Sequence, residues 1–237
     1  MLEAKSLVET IRRCMTKIND IAFKFSYLGQ TVLRYETPPE IVKEIYDTYL
    51  QLKKKKRLYN WNTQLIGKIK NEHSLFWDSA NEEKYPKHNH LSERVLDFFK
   101  ARVVHYLEWN KIKDYQYRLN SIWINEMKAG EYNPIHVHMG DLWTGLSSVM
   151  IIKLPKNYGK EWARPDKPAN GQLGFAGYGG GCLAKTDYTP PKLKSGDFFL
   201  FPYDLRHFVY PFRGKEKRIS LAMNVDVAYD VFSSRQG

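Results

Sequence analysis

Cysteine is scarce in this chain: Cys14 and Cys182 are the only two among 237 residues. Two thiols cannot build a disulfide framework, and a reduced, cytoplasmic setting is the expectation. Long apolar runs are missing too. No window approaches the roughly 18–20 uninterrupted apolar residues of a membrane-spanning helix, so no membrane partner is expected. The opening stretch carries Glu3, Lys5 and Glu9 where a secretory signal would need an apolar core. Acidic residues are also in deficit, with 26 Asp and Glu against 37 Lys and Arg, a net charge of +11. What remains is an ordinary globular balance, 43% hydrophobic and 27% charged, in a chain long enough to fold as a single domain without covalent staples.

A charge of this sign invites a nucleic-acid partner. Its distribution does not favour one. Residues 1–120 hold 22 basic and 15 acidic groups, and residues 121–237 hold 15 and 11, so neither half concentrates the excess. The one dense run, Lys53–Arg57, falls at the end of a predicted helix, where cations complement the helix dipole. Recognition of a phosphate backbone asks for a basic face rather than a basic total.

Residues 1–115 read as a helix-rich flank. Helical spacing runs through Leu2–Ile18, and Phe23–Tyr35 suggests a strand or two. Pro38-Pro39 opens a helix with Ile41, Ile45, Tyr46 and Tyr49 on its apolar stripe. Residues 58–90 look irregular, and His90–Trp109 forms a second amphipathic helix. From residue 116 to about 230 the pattern changes to short extended runs. These are Leu119–Met127, Ile135–His138, Ser147–Leu154, Phe198–Pro202, His207–Tyr210 and Arg218–Val227, separated by Gly- and Pro-rich connections. Many short strands favour a barrel or sandwich over alternating β–α units. The long segment 156–195, with Gly177–Gly181 in it, reads as a loop over the mouth of a site. It lacks the following helix that a phosphate-binding glycine loop requires.

Three of the seven histidines fall in this second half. His136 and His138 are two apart, so a strand turns both imidazoles to one face. His207 could bring a third from a distant strand. Three protein ligands on one face leave open positions for substrate or oxygen, although imidazole alone does not choose between iron, zinc, copper and nickel. Eleven residues after His207 comes Arg218, with Ser220 on the same strand face. A guanidinium fork beside a hydroxyl suits a carboxylate. Taken alone, His73, His88, His90 and His105 read as structural, and Trp61, Phe76 and Trp77 as core or as a substrate groove.

The sequence His-x-His, long gap, His, then Arg-x-Ser resembles the iron(II)- and 2-oxoglutarate-dependent oxygenases, most closely a bacterial and phage branch. The resemblance covers residues 119–226. It includes Trp123-Ile124-Asn125, Asn133-Pro134-Ile135-His136-Val137-His138, the strand Ser147–Pro155, Gly196-Asp197, Phe201-Pro202, His207, Arg218-Ile219-Ser220 and Asn224. It implies a mainly β fold, a double-stranded β-helix of jelly-roll or cupin-like form flanked by N-terminal helices. It also implies Fe(II) on His136, His138 and His207, and 2-oxoglutarate held by Arg218 and Ser220. The expected activity is hydroxylation coupled to decarboxylation of the cosubstrate.

The acidic ligand position departs from the family pattern: His138 stands where Asp or Glu is usual. A three-histidine site, recruitment of Asp141 as the third ligand, and two-histidine ligation all remain open. Met150 and Ile151 replace the family's tyrosines, so Asn125 or Lys153 would have to help hold the cosubstrate. Two other classes compete: a three-histidine cupin-type enzyme without 2-oxoglutarate, and a non-catalytic jelly-roll binding or virion protein. The substrate (protein or peptide, nucleic acid, or small molecule) and a homodimeric state stay open.

Overall fold

A computed structural model describes residues 29–60, 67–80, 86–161, 166–177 and 187–229. The segments predicted at Leu2–Ile18 and 23–28, together with Cys14, Cys182, Trp61 and most of Gly177–Gly181, lie outside the described residues.

Two antiparallel sheets face each other. The larger has eight strands: β1 (Leu33–Glu36), β2 (Tyr59–Asn60), β3 (Asn71–Trp77), β4 (His88–Asn89), β5 (Tyr115–Met127), β7 (Gly145–Lys153), β10 (Asp197–Pro202) and β12 (Arg218–Tyr229). Its order is β1-β10-β7-β12-β5-β3-β2, with β4 also on β3. The smaller joins β6 (Asn133–His136), β11 (Arg206–Val209), β8 (Leu173–Ala176) and β9 (Asp187–Tyr188) in the order β6-β11-β8-β9. From β5 onward the chain passes back and forth between the sheets, with β5, β7, β10 and β12 in the larger and β6, the β8–β9 pair and β11 in the smaller, as in a double-stranded β-helix.

Strand periodicity gives the larger sheet two different faces. Ile122, Ile124, Met150, Ile152, Leu221 and Met223 point outward into one apolar cluster. Two helices cover that face. Helix α1 (Pro39–Lys54) starts with Pro39 in its first turn and buries Ile41, Val42, Ile45 and Tyr49. Helix α2 (Glu93–Trp109) is capped by the Ser92 hydroxyl, which accepts from the Val95 amide, and buries Val95, Phe99, Val103 and Tyr106. The inner face pairs Met127, Val149, Ile151, Phe199 and Phe201 with Phe175 and Val209 from the smaller sheet and with Leu205 just before β11. The expected helices at 38–54 and 90–109 are present, the second beginning three residues late. No helix among the described residues is long and apolar enough to cross a membrane.

Five strands escaped the sequence reading: β2, β3, β4, β8 and β9. β3 lies in the stretch read as irregular. Its inward residues, Glu72 and Ser74, are polar, and a register shift between Ser74 and Phe76 breaks the alternation. β8 and β9 interrupt the segment read as a loop. β6 runs from Asn133 to His136, so His138 lies two residues beyond the ladder. Its amide leaves the ladder to donate to the Tyr203 carbonyl at 2.8 Å.

Glu126, on the outer face of β5, ties the sheet to α1. Its carboxylate accepts from the Tyr49 hydroxyl at 2.8 Å and pairs with Lys53 Nζ at 2.5 Å and Lys217 Nζ at 2.8 Å. Burial alone would raise its pKa, but these partners outweigh burial and hold it at about 2. A carboxyl depressed on folding stabilises the fold above its unfolded pKa, and that stability is lost as pH falls through the folded value. Both lysines are part-exposed, which screens the gain. Glu126→Gln is therefore expected to lower stability by about 1–2 kcal/mol at pH 7. The gap between variant and wild type closes between pH 4.5 and pH 2. Urea denaturation at a series of pH values checks this; a gap that persists at pH 2 refutes the ion-pair assignment.

Candidate active site

The register of the smaller sheet sets His207 on β11 directly opposite His136 on β6. Their ring centroids are 4.3 Å apart, and both lie 4.9 Å from the His138 ring. Each residue offers one ring nitrogen to a common point, all within 4.8 Å of one another. His136 Nδ1–H donates to the Pro134 carbonyl at 2.7 Å and His207 Nδ1–H to the Leu205 carbonyl at 3.0 Å. These bonds hold both rings in the tautomer whose Nε2 lone pair faces inward. His138 Nε2 and His207 Nε2 stand 3.2 Å apart. Two imidazoles binding one cation at about 2.1 Å, at an angle near 90–110°, require about the same separation.

All three imidazoles are held below the usual histidine range. For His138 and His207 burial is the first cause and a neighbouring imidazole the second; His207 falls to about 3. His136 is lowered by burial, against its carbonyl contact. The rings are neutral at physiological pH and ready to donate lone pairs. Phe201, 4.7 Å from the His207 ring, walls the cluster on one side. Trp123, 5.9 Å from His138, walls it on the other. Trp77 packs on Trp123 and Ala222, beside the cleft rather than in the helix-covered core.

Asp141 is placed elsewhere. Its carboxylate accepts from the Ala80 amide at 2.7 Å, the Ser79 hydroxyl and Arg118, and it is not among the clustered ligand atoms. Burial would raise its pKa, and these donors together depress it.

The three histidines open on a cleft that Trp123, Asn125, Val149, Ser220 and Ala222 also line. Asn125, Ser220 and Ala222 belong to the inner face of β5 and β12. Arg218 is on the same face of β12, 1% exposed, and donates through Nη1 to Ser220 Oγ at 3.0 Å. Among the described residues its Nε and Nη2 meet no acceptor, and no carboxylate pairs with it. Burial lowers its pKa to about 10, so it stays a cation at neutral pH. A buried guanidinium without a counterion calls for an anion of its own. Lys153, at the exposed end of β7, does not line the cleft.

The sequence reading missed the groups that carry His138. Asp226, 3% exposed, accepts from Asn120 Nδ2, Tyr203 Oη and the amides of Asp141 and Leu142. This pins the loop that follows His138, while the Tyr203 carbonyl holds the His138 amide. Nothing local to position 226 signals the role; it depends on strands distant in sequence meeting at one corner.

Residues 121–224 match the family model described as "Putative 2OG-Fe(II) oxygenase". No curated protein matches the chain. Among solved structures, a prolyl-4-hydroxylase from Pseudomonas putida aligns with 83% of this chain and 91% of its own, at 14% identity and a TM-score of 0.50. A prolyl hydroxylase from Trichoplax adhaerens, solved with a hypoxia inducible factor peptide fragment, aligns over 87% and 86%, at 12% identity and a TM-score of 0.51. SnoN, an alpha-ketoglutarate-dependent epimerase from nogalamycin biosynthesis, aligns over 84% and 80%, at 13% identity and a TM-score of 0.52. At these identities the likeness is one of fold. In sequence over 121–224, and in fold over most of its length, the chain resembles the iron(II)- and 2-oxoglutarate-dependent oxygenases. The family so matched is one of oxygenases that use Fe(II) and 2-oxoglutarate. The residues present fit both: three inward lone pairs for the metal, and an unpaired buried guanidinium for a carboxylate.

Gly140 has no room for a side chain. A Cβ there would sit 2.0 Å from Asp226 Oδ1 and 2.8 Å from Tyr203 Oη. Gly140→Ala is expected to displace the His138 loop and weaken Fe(II) binding about tenfold or more, with an overpacking loss of about 1–3 kcal/mol. Anaerobic titration with Fe(II) reads the first effect and thermal denaturation the second. Unchanged affinity would show that Asp226 and Tyr203 do not position His138.

Proposed function

We propose that the protein is a hydroxylase. His136, His138 and His207 together hold iron(II), and Arg218 with Ser220 holds the distal carboxylate of 2-oxoglutarate. The observation that carries this reading is the buried, counterion-free guanidinium of Arg218 on the same sheet face as the imidazole cluster. Iron(II) and 2-oxoglutarate, when bound, supply the oxidising chemistry: oxygen is consumed, succinate and carbon dioxide form, and a substrate C–H bond becomes C–OH.

The chain's own residues do the rest. Arg218 supplies positive charge in a dry site, where it acts more strongly than at the surface. Ser220 aligns the guanidinium and offers its hydroxyl to the same ligand. Phe201, Phe175 and Trp123 exclude water from the imidazoles. Pro134 and Leu205 carbonyls keep two of the rings in the ligating tautomer.

The rim suggests the kind of substrate. Ile135, Val137, Met139, Leu142 and Trp143 are exposed on the segment that carries the paired histidines. Residues 131–150 include no Lys or Arg. Such a rim suits an apolar chain segment and offers nothing to a polyphosphate backbone. A three-histidine enzyme acting without 2-oxoglutarate is the second reading. The neutral ligand set favours it, and the unpaired Arg218 opposes it.

The test is turnover without a prime substrate. Wild type supplied with Fe(II), oxygen and 2-oxoglutarate is expected to form succinate slowly. Arg218→Ala is expected to bind Fe(II) normally and to weaken 2-oxoglutarate about 10- to 100-fold, the worth of charge-assisted hydrogen bonds. Metal binding indifferent to 2-oxoglutarate would favour the second reading instead. Apolar peptides and oligonucleotides are then offered separately; stimulation by oligonucleotides alone would overturn the reading of the rim.

A further inference from the structure

One buried group on the inner face has no part in the scheme above. Glu72 of β3 is fully buried, and neither of its carboxyl oxygens meets a donor. The register sets it directly opposite Asn125, and Asn125 directly opposite Ser220. Residues paired across antiparallel strands share a face, with Cβ atoms about 4.5–5.5 Å apart. Glu72, Asn125 and Ser220 therefore form one row, and Arg218 joins it through Ser220. Asn125 Oδ1 is buried and also meets no donor, although Asn125 lines the cleft. Two acceptor groups are thus neighbours with no hydrogen between them.

A single proton on Glu72 gives one of its oxygens a hydrogen to donate and Asn125 Oδ1 one to accept, and leaves the second carboxyl oxygen neutral. A carboxylate here would be an isolated buried charge, and the charged group that acts on it, Glu131, has the same sign. Burial first, and Glu131 second, raise the Glu72 pKa to about 8. As a neutral acid it has one O–H to give, and the group opposite is an amide oxygen.

Resting on the assignment of the cleft to 2-oxoglutarate, we propose that Glu72 is a positioning residue. It donates its carboxylic O–H to Asn125 Oδ1 and so turns the Asn125 amide N–H toward the cosubstrate carboxylate. The consequence is orientational. An ionised Glu72 would draw the amide N–H to itself and present Oδ1 to the cleft, where it would repel a carboxylate. The neutral acid keeps a donor there, so Asn125, Ser220 and Arg218 all offer hydrogens to one anion. This is the help for Arg218 that the missing tyrosines at Met150 and Ile151 leave open.

Two experiments decide it. Infrared difference spectra of the full chain, wild type against Glu72→Gln at neutral pH, are expected to show a protonated-carboxyl C=O band in wild type only. Asn125→Leu should shift that band by removing its acceptor. Absence of the band overturns the proposal. Calorimetry then measures 2-oxoglutarate binding in the anaerobic Fe(II) protein. Glu72→Gln, which keeps a donor, should stay within about twofold of wild type, and Glu72→Leu should weaken binding about tenfold, one neutral hydrogen bond. Asn125→Ala should weaken it similarly, and Glu72→Leu added to Asn125→Ala should weaken it no further. Additive losses, or failure of Glu72→Gln to rescue, overturn the positioning role. If wild type itself does not bind 2-oxoglutarate, the assignment of the cleft falls and the positioning role with it. The infrared band separately decides whether the Glu72–Asn125 pair exists.

Discussion

Burial of the Arg218 guanidinium is the constraint around which the site is organised. β12 is paired by β5 from Arg218 to Tyr229 and by β7 from Ile219 to Asp226. Arg218, opposite Met127 at the start of this central strand, is 1% exposed and so is held away from water. The fold therefore carries the cost of a desolvated charge, offset within the protein by one hydrogen bond to Ser220. A site that stores this imbalance is poised for an anion, because ligand binding restores what folding removed. The same strand pairing sets Ser220 beside Asn125, so the anion subsite and the cleft wall are products of one register.

The imidazole cluster depends on a different contact, between strands of the smaller sheet. His136 and His207 are brought together by backbone pairing alone. His138 lies past the end of its strand and needs other support. The Tyr203 carbonyl and the Asp226 network supply it, with Gly140 giving the chain room to pass close to Asp226. Two of the clustered imidazoles are thus held by sheet geometry and the third by a loop anchored to β12. The loop-borne histidine is the one that departs from the family's ligand pattern.

Much of the site was legible because strand geometry converts spacing into direction. Arg218 and Ser220 are two residues apart and share a face of β12; His136 and His138 are also two apart and their rings meet, although His138 lies past the end of β6. The helices at 39–54 and 93–109 were legible for the parallel reason, apolar residues at helical spacing with a proline or a serine at the start. The hidden parts are those in which the inner face is polar. β3 buries Glu72 and Ser74, and a bulge after Ser74 removes the alternation that marks a strand. β8 and β9 are four and two residues long within a segment rich in Gly and Pro, too short to impose a pattern. Asp226 and Tyr203 act only through tertiary contacts, and no local sequence feature marks either. Asp141, attractive as a carboxylate three residues from His138, is instead turned toward Arg118 and Ser79.

The charge of the chain takes on meaning only when divided by location. Its excess of +11 resides away from the segment bearing the paired histidines. Within the site the arithmetic is separate. Three neutral imidazoles contribute no charge, Arg218 contributes one positive, and a divalent metal adds two. A dicarboxylate neutralises two of these three, leaving one unit that a carboxylate ligand at position 138 would have cancelled. In a dry cleft such a unit is not screened as it is at the surface. It strengthens the hold on an anionic cosubstrate while withholding electron density from the metal. On the proposed assignment His138 shifts the balance of the site toward binding, and a neutral Glu72 would serve the same end, since an ionised Glu72 would return a negative charge to the row that ends at Arg218.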